Sequence, residues 1–327
     1  AGPSGLGQEL IAAFPFIDIV VNGEGETTFL EVLDGLNHVG KPGDLGKIKG
    51  ITYNRNGVPV STGPCRQICN LDLLPEPAYH RLDLSRYAAV NIATGRGCPF
   101  KCSYCSTASF WEYKNRTRGI DKVLDEMEFL HSGHGFNIFN LSDDTFTLKK
   151  KRVGEFCAGL RERGLDIRWN CYSRVNTLDE NMLEDMVNSG CRTVYIGTES
   201  GSNQVLDKVE KQIAIKDILR VLSYAREYAS IRTHFIWGFP FESLEDFQLT
   251  LMCSTYLKDM GIHTYLTPLI PLPLSPMFKE YKDEISYSLD HSFSKFKPLC
   301  DNGDVRELVN RHPGCFYQQN CVCFHCE

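Results

Sequence analysis

No stretch of this chain stays apolar long enough to span a membrane, and the segment Leu269–Met277 is interrupted by Pro271, Pro273 and Pro276. Positive charge is not in excess: 35 Lys and Arg face 41 Asp and Glu, for a net charge of −6. With a pI near 5.9, no basic face announces a nucleic-acid partner. No secretory leader opens the chain and no low-complexity tract interrupts it. The first residue is Ala1 rather than Met, which reads as the product of processing or truncation. What remains is ordinary. A chain of 327 residues, 42% hydrophobic and 23% charged, has the make-up of a globular protein with room for about two domains.

Cysteine, by contrast, is abundant, with 14 residues. Disulfide scaffolds reach such counts in far shorter secreted chains. Without a leader, the thiols point to a reducing cytoplasm and to metal chemistry. Three stand on one short segment, Gly97-Cys98-Pro99-Phe100-Lys101-Cys102-Ser103-Tyr104-Cys105. Burial as apolar thiols does not explain why three crowd onto a stretch marked by Gly and Pro. Zinc sites favour CxxC joined to a second CxxC or to HxxxH, and disulfides would leave one of the three over. Thiolates hold iron–sulfur clusters, and clusters that only carry electrons are usually held by four. Three ligands suggest a cluster with one iron left for an exogenous ligand, the open position that separates catalytic from structural metal sites.

The CxxxCxxC spacing, with Tyr104 just before the last cysteine, resembles the radical S-adenosylmethionine (SAM) enzymes. The resemblance implies a 4Fe–4S cluster on Cys98, Cys102 and Cys105, its remaining iron chelated by the amino and carboxylate groups of SAM.

From about Ala88 the chain alternates two periodicities. Expected strands are Val90–Gly95, Phe136–Leu141, Ile167–Ser173, Thr193–Gly197, Thr233–Trp237 and Thr264–Ile270. Expected helices are Gly119–Ser132, Lys149–Arg163, Asp179–Ser189, Ala214–Ala229 and Ser243–Met260. Gly133, Gly164, Gly190 and Gly261 stand where helix C-caps are expected. Strands separated by helices of this length imply βαβ units and a parallel sheet. Six units suggest a partial (β/α)6 barrel, which matches the fold of the resembled family. Active sites in such sheets lie at the carboxyl ends of the strands, and the remaining motifs fall there.

At the second strand end, Leu141-Ser142-Asp143-Asp144-Thr145-Phe146 offers carboxylates suited to the SAM amine; one of Asp143 and Asp144 could equally cap the turn. The family's usual two glycines are absent from this segment. Arg174, ending the third strand, can grip the SAM carboxylate or form a surface ion pair. Gly197-Thr198-Glu199-Ser200-Gly201-Ser202 resembles the family's G-x-E-S-G-S signature. There Glu199 would receive ribose hydroxyls, while Ser200 or Ser202 could cap a helix. Lys211 fits a lysine that often follows, or an exposed helix-end lysine. Phe235-Ile236-Trp237-Gly238-Phe239-Pro240 resembles the I-x-G-F-P segment, where Gly238 and Pro240 would let backbone approach adenine. Tyr104 would offer its ring and backbone to the adenine, or pack beneath the loop.

Residues 88–275 are therefore expected to form the barrel. Before it, strand Phe16–Val21, the turn Asn22–Thr28 and helix Phe29–Leu36 resemble the last βα unit of the Rossmann-like cobalamin-binding domain that precedes many such barrels. Ala1–Ser4 fits a loop there, so residues 1–40 read as that domain's C-terminal remnant. Residues 41–87 read as a hairpin, Gly50–Ser61 turning at Arg55-Asn56-Gly57, and a Pro-rich linker, Asn70–Tyr79. Residues 276–327 form a Cys-rich extension, in which Cys315, Cys321, Cys323 and Cys326 could hold an auxiliary cluster or zinc or be structural thiols.

The resemblance implies reductive cleavage of SAM to methionine and a 5′-deoxyadenosyl radical, with a low-potential flavodoxin or ferredoxin as electron donor. It points most simply to a cobalamin-dependent C-methyltransferase in the cytoplasm. A methylthiotransferase is the rival enzyme, but Cys65 and Cys69 do not supply its front-domain cysteines. A non-catalytic iron–sulfur or zinc-binding module would need four protein ligands, and the barrel pattern and Glu199 count against it.

Overall fold

The computed structural model describes residues 2–37, 44–288, 303–316 and 321–324. The chain divides into two compact units. The first to be described comprises Asn70–Ser103 and Trp111–Leu269. Its centre is a six-stranded sheet of β1 (Val90–Ile92), β2 (Ile138–Leu141), β3 (Arg168–Ser173), β4 (Cys191–Glu199), β5 (Ser230–Trp237) and β6 (His263–Pro268). The strands lie side by side in chain order, and every neighbouring pair is parallel. Parallel neighbours need a crossover connection, and five helices supply it: α1 (Ile120–His134), α2 (Lys150–Glu162), α3 (Glu180–Asn188), α4 (Ile215–Tyr228) and α5 (Leu244–Asp259). This is the partial (β/α)6 barrel expected from the two periodicities.

The helices begin and end for local reasons. Asp179 caps α3, its side chain accepting from Met182 N at 2.9 Å. Ser243 and Asp246 cap each other reciprocally at the start of α5. Helix α1 runs through Gly133 and stops at Gly135, which adopts φ +76. The expected cap thus lies two residues later, because Gly135 is the glycine that takes the left-handed conformation. Strand β4 also runs two residues further than expected, to Glu199, across a register shift against β5. A short helix, Asn203–Lys208, follows and has no counterpart in the expected set.

The core lies between the helices and one face of the sheet. Phe139, Trp169, Cys171, Val194, Ile196 and Phe235 pack there against Met127, Phe156, Leu183 and Leu222. Trp169 is completely buried, meets Phe146 and Phe156 edge to face, and donates its indole N–H to Ser189 O at 3.0 Å. The Pro-rich linker belongs to this unit. Asp72 accepts from Gly119 N at 2.8 Å, and Tyr79 donates to the buried Glu126 carboxylate, which Arg118 also reaches.

The second unit comprises Ala1–Cys69, Tyr104–Phe110 and Ile270–Glu327. Strand Ile19–Val21 pairs antiparallel with Ile51–Arg55, which pairs with Val58–Ser61 as a hairpin. Asn56 and Gly57 both have positive φ, as a two-residue type I′ turn requires. Gly2–Gly5 is helical rather than a loop, with Pro3 in the first turn, where its missing N–H is no loss. The helix after the first strand spans Gly25–Asn37, starting four residues before the expected Phe29. Cys321–Phe324 pairs antiparallel with Ile285–Ser288. Among the described residues, no helix is long and apolar enough to cross a membrane.

Replacing Trp169 by Ala is expected to lower unfolding free energy by about 3–5 kcal/mol, measured by urea titration, with Trp169→Phe costing clearly less.

Candidate active site

The cysteine segment begins where β1 ends, and hydrogen bonds from the next strand end fasten it. The Thr94 backbone N–H donates to Asp143 Oδ1 and the Thr94 hydroxyl to Asp143 Oδ2, each at 2.7 Å. One residue along, Asp144 Oδ2 accepts from Gly97 N at 3.0 Å. Burial pushes the Asp143 carboxyl up from its ordinary value, against the pull of the Thr94 bonds. Burial likewise raises Asp144, to about 6, opposed by the Gly97 bond and reinforced by the Asp143 charge. Asp144 as a residue remains exposed. Both carboxylates, read from sequence as candidates for the SAM amine, thus also hold the loop.

Gly97 is the hinge of the turn. Its φ is +92, and a Cβ there would overlap the Lys114 carbonyl oxygen and press on Trp111. Asn115 Nδ2 donates to Gly97 O at 2.9 Å, and Ser103 N donates to Val209 O at 3.0 Å. Cys102 is buried and Cys98 and Cys105 are half-buried; none of the three forms a disulfide. Tyr104 is half-buried, and Cys105 directly precedes the helix Ser106–Phe110.

Arg174 is buried at the end of β3 and is no surface ion-pair residue. Its guanidinium stands 3.8 Å from the Phe100 ring centroid. Nη1 donates to Cys102 Sγ at 3.2 Å, Nε to Asn176 Oδ1 at 3.3 Å, and Nη2 to Lys211 O. Lys211 is also buried rather than exposed, 3% accessible, and its Nζ lies 2.6 Å from Glu199 Oε1. A Cβ on Gly197 would overlap Glu199 Oε1, so the first glycine of the signature makes room for the pair. The backbone is strained here: Glu199, Glu210 and Gln212 have φ of 68, 54 and 58. Such conformations persist only where surrounding structure enforces them.

The rest of the signature is structural. Ser202 caps the short helix Asn203–Lys208 and donates to Asp246. Ser200 meets Thr250 at 3.0 Å. A Cβ on Gly201 would overlap the Leu249 carbonyl oxygen, so α5 passes close. Gly238, at φ +85, follows β5 with its N–H donated to Glu242; Pro240 beside it is half-buried.

Cys98, Cys102, Asp143, Asp144, Arg174, Lys211 and Glu199 are thus joined around the cysteine loop at one end of the sheet, and Gly238 and Pro240 share that end. Thr94, Phe100, Asn115 and Val209 complete the network, and only their nearness in the fold reveals them. The tail is different. Cys315 is half-buried, its thiol raised by burial. Cys321 and Cys323 occupy one strand, and Cys326 lies outside the described residues.

The donor set fits an iron–sulfur cluster by its chemistry. Three soft sulfurs stand within eight residues, and the Arg174 cation beside Cys102 balances thiolate charge. Cys98 Sγ faces Thr145 Oγ1 at 3.7 Å, and Cys102 Sγ faces Arg174. Among the described residues, no three Cys, His, Asp or Glu side chains gather as a metal site.

Residues 92–252 match the family model of the radical SAM superfamily. The chain belongs to that superfamily. A methyltransferase of Pyrococcus horikoshii, itself uncharacterized, is 36% identical over 261 residues, covering 78% of this chain and 56% of its own. The anaerobic magnesium-protoporphyrin IX monomethyl ester cyclase of Rubrivivax gelatinosus is 30% identical over 318 residues, covering 93% of this chain and 56% of its own. The chain spans about half the length of these curated relatives. In structure it is similar to the radical SAM methyltransferase TsrM of Kitasatospora setae, solved with cobalamin and a 4Fe–4S cluster. The TM-score is 0.73 at 18% identity, covering 99% of this chain and 65% of that one. The cobalamin-dependent radical enzyme OxsB gives 0.71 at 18% identity, covering 91% of this chain and 49% of that one. At this identity the structural likeness speaks for the fold. As a member of the superfamily, this radical SAM protein takes a 4Fe–4S cluster and SAM as its cofactors.

Two variants probe the network. Lys211→Met leaves the Glu199 carboxylate buried without its cation and is expected to cost about 3–5 kcal/mol; the double variant Glu199→Gln/Lys211→Met should recover most of that in a denaturant cycle. Gly97→Ala is expected to abolish iron loading while far-UV circular dichroism is retained.

Proposed function

We propose that this chain is the catalytic barrel of a cobalamin-dependent radical SAM enzyme that transfers a methyl group to a carbon of its substrate. The observation that carries this reading is the unbroken run of contacts from the cysteine loop through Arg174 and Lys211 to Glu199, at the carboxyl end of a parallel sheet. Methyl transfer is supported by the methyltransferase among the relatives. Cobalamin is supported by the likeness to TsrM and OxsB and by reading residues 1–40 as the end of a cobalamin-binding domain.

In this reading Cys98, Cys102 and Cys105 hold the cluster. Arg174 offsets its thiolate charge and meets the SAM carboxylate. Asp144, the exposed member of its pair, accepts the amine, while Asp143 fixes the loop. Glu199, held in place by Lys211, receives the ribose hydroxyls. Tyr104, Gly238 and Pro240 border the adenine. When bound, cluster and SAM together supply one-electron cleavage of the S–C5′ bond, the electron coming from a flavodoxin- or ferredoxin-type donor.

The cyclase among the relatives favours a second outcome, ring closure in place of methyl transfer. The test uses the full-length protein, reconstituted anaerobically with iron and sulfide and reduced in the presence of SAM. It should form 5′-deoxyadenosine and bind about one equivalent of cobalamin, and Cys102→Ala should form none. A filled cluster that yields no 5′-deoxyadenosine sinks the radical reading. A protein that makes 5′-deoxyadenosine but binds no cobalamin removes methyl transfer through cobalamin and leaves the cyclase-type outcome.

A further inference from the structure

The sheet face opposite the helices carries a row of rings. Tyr172 on β3 lies in register with Tyr195 on β4, and the two stack with centroids 5.0 Å apart and planes 28° apart. Arg232, next to Tyr195 on β5, places its guanidinium 5.7 Å from that ring's centroid. One step nearer the carboxyl ends, His234 pairs with Tyr265 on β6 and stacks on it, centroids 4.8 Å apart and planes 16° apart. The row therefore crosses four strands. It begins two residues before Arg174. At its other end His234 feels the Glu199 charge, which offsets part of the lowering that burial imposes on its imidazole.

These rings are not core. Tyr172 is 49% exposed and Tyr265 is 40% exposed, whereas a packed barrel interior fills its layers with buried side chains. Arg232 contributes a second sign of a binding surface: its Nε is buried with no hydrogen-bond partner among the described residues, and buried donors rarely stay so. On the same face an amide chain runs alongside, Asn170 donating to Asn140 at 2.9 Å and Asn140 to Asn91 at 3.2 Å.

We propose that this row is the substrate subsite, and that it takes a flat, conjugated molecule bearing a carboxylate. The rings present π faces that a planar molecule extends by offset stacking. Arg232 presents a planar guanidinium fork that matches a carboxylate. An extended aliphatic acid could use the second feature but not the first. The proposal rests on the radical SAM reading, because the substrate it describes is the one acted on at the cofactor end of this face.

The test is equilibrium dialysis against the full-length, reconstituted protein with SAM present, using three probes: pyrenebutyrate (flat, charged), pyrenemethanol (flat, neutral) and decanoate (charged, not flat). Pyrenebutyrate should bind most tightly. Arg232→Gln should weaken pyrenebutyrate about tenfold and leave pyrenemethanol unchanged. Tyr172→Leu should weaken both pyrene probes, by about three- to tenfold, and leave decanoate unchanged. Arg232→Lys, which keeps the charge but not the fork, should fall between wild type and Arg232→Gln. Formation of 5′-deoxyadenosine by each variant reports an intact cofactor site separately, so its loss in the unaltered protein would count against the function and not against the subsite. Decanoate binding as tightly as pyrenebutyrate, or Arg232 variants that bind pyrenebutyrate as wild type does, overturns the proposal.

Discussion

One buried guanidinium organises the end of this sheet. Taking a charge out of water costs several kcal/mol unless hydrogen bonds and partners replace the solvent. Arg174 meets that demand by spending its donors on three separate parts of the chain, a cysteine sulfur, the carbonyl of Lys211 and the amide of Asn176, with its flat face on Phe100. Each partner is consequently located by the same cation. Lys211, placed through its backbone, brings its own charge to Glu199. Two buried cations and one buried carboxylate then stand beside thiols whose reactive form is anionic, so the charges at this end of the fold are set up as a group.

Much of this architecture was legible in the chain because periodicity reports burial. Strands β2, β3 and β5 alternate buried with less buried residues, and the helices between them show an apolar stripe. What was not legible depends on choices between near-equal local options. Gly133 and Gly135 both suit a helix end, and only the backbone shows which adopts the left-handed conformation. Gly2–Gly5 has the composition of a turn and is helical.

The site divides in the same way. The cysteine spacing and the G-x-E-S-G-S segment could be read directly, since the chemistry lies in adjacent residues. The use made of each side chain could not. Asp143 and Asp144 look alike in sequence, yet one spends both oxygens on Thr94 and the other reaches Gly97. Lys211 has the surroundings of a surface lysine until the fold closes over it. Such roles arise from pairs separated by 12 to 72 positions, beyond the reach of any local pattern.

The manner in which the loop is fastened bears on how this protein can change. Thr94, Gly97 and Ser103 are all gripped through their main-chain amides, a group that every residue except proline carries. The clamp therefore fixes the path of the chain while remaining indifferent to most of the side chains riding on it. Lys101, which is exposed, can therefore vary in charge and size without disturbing the backbone path that sets the cysteines.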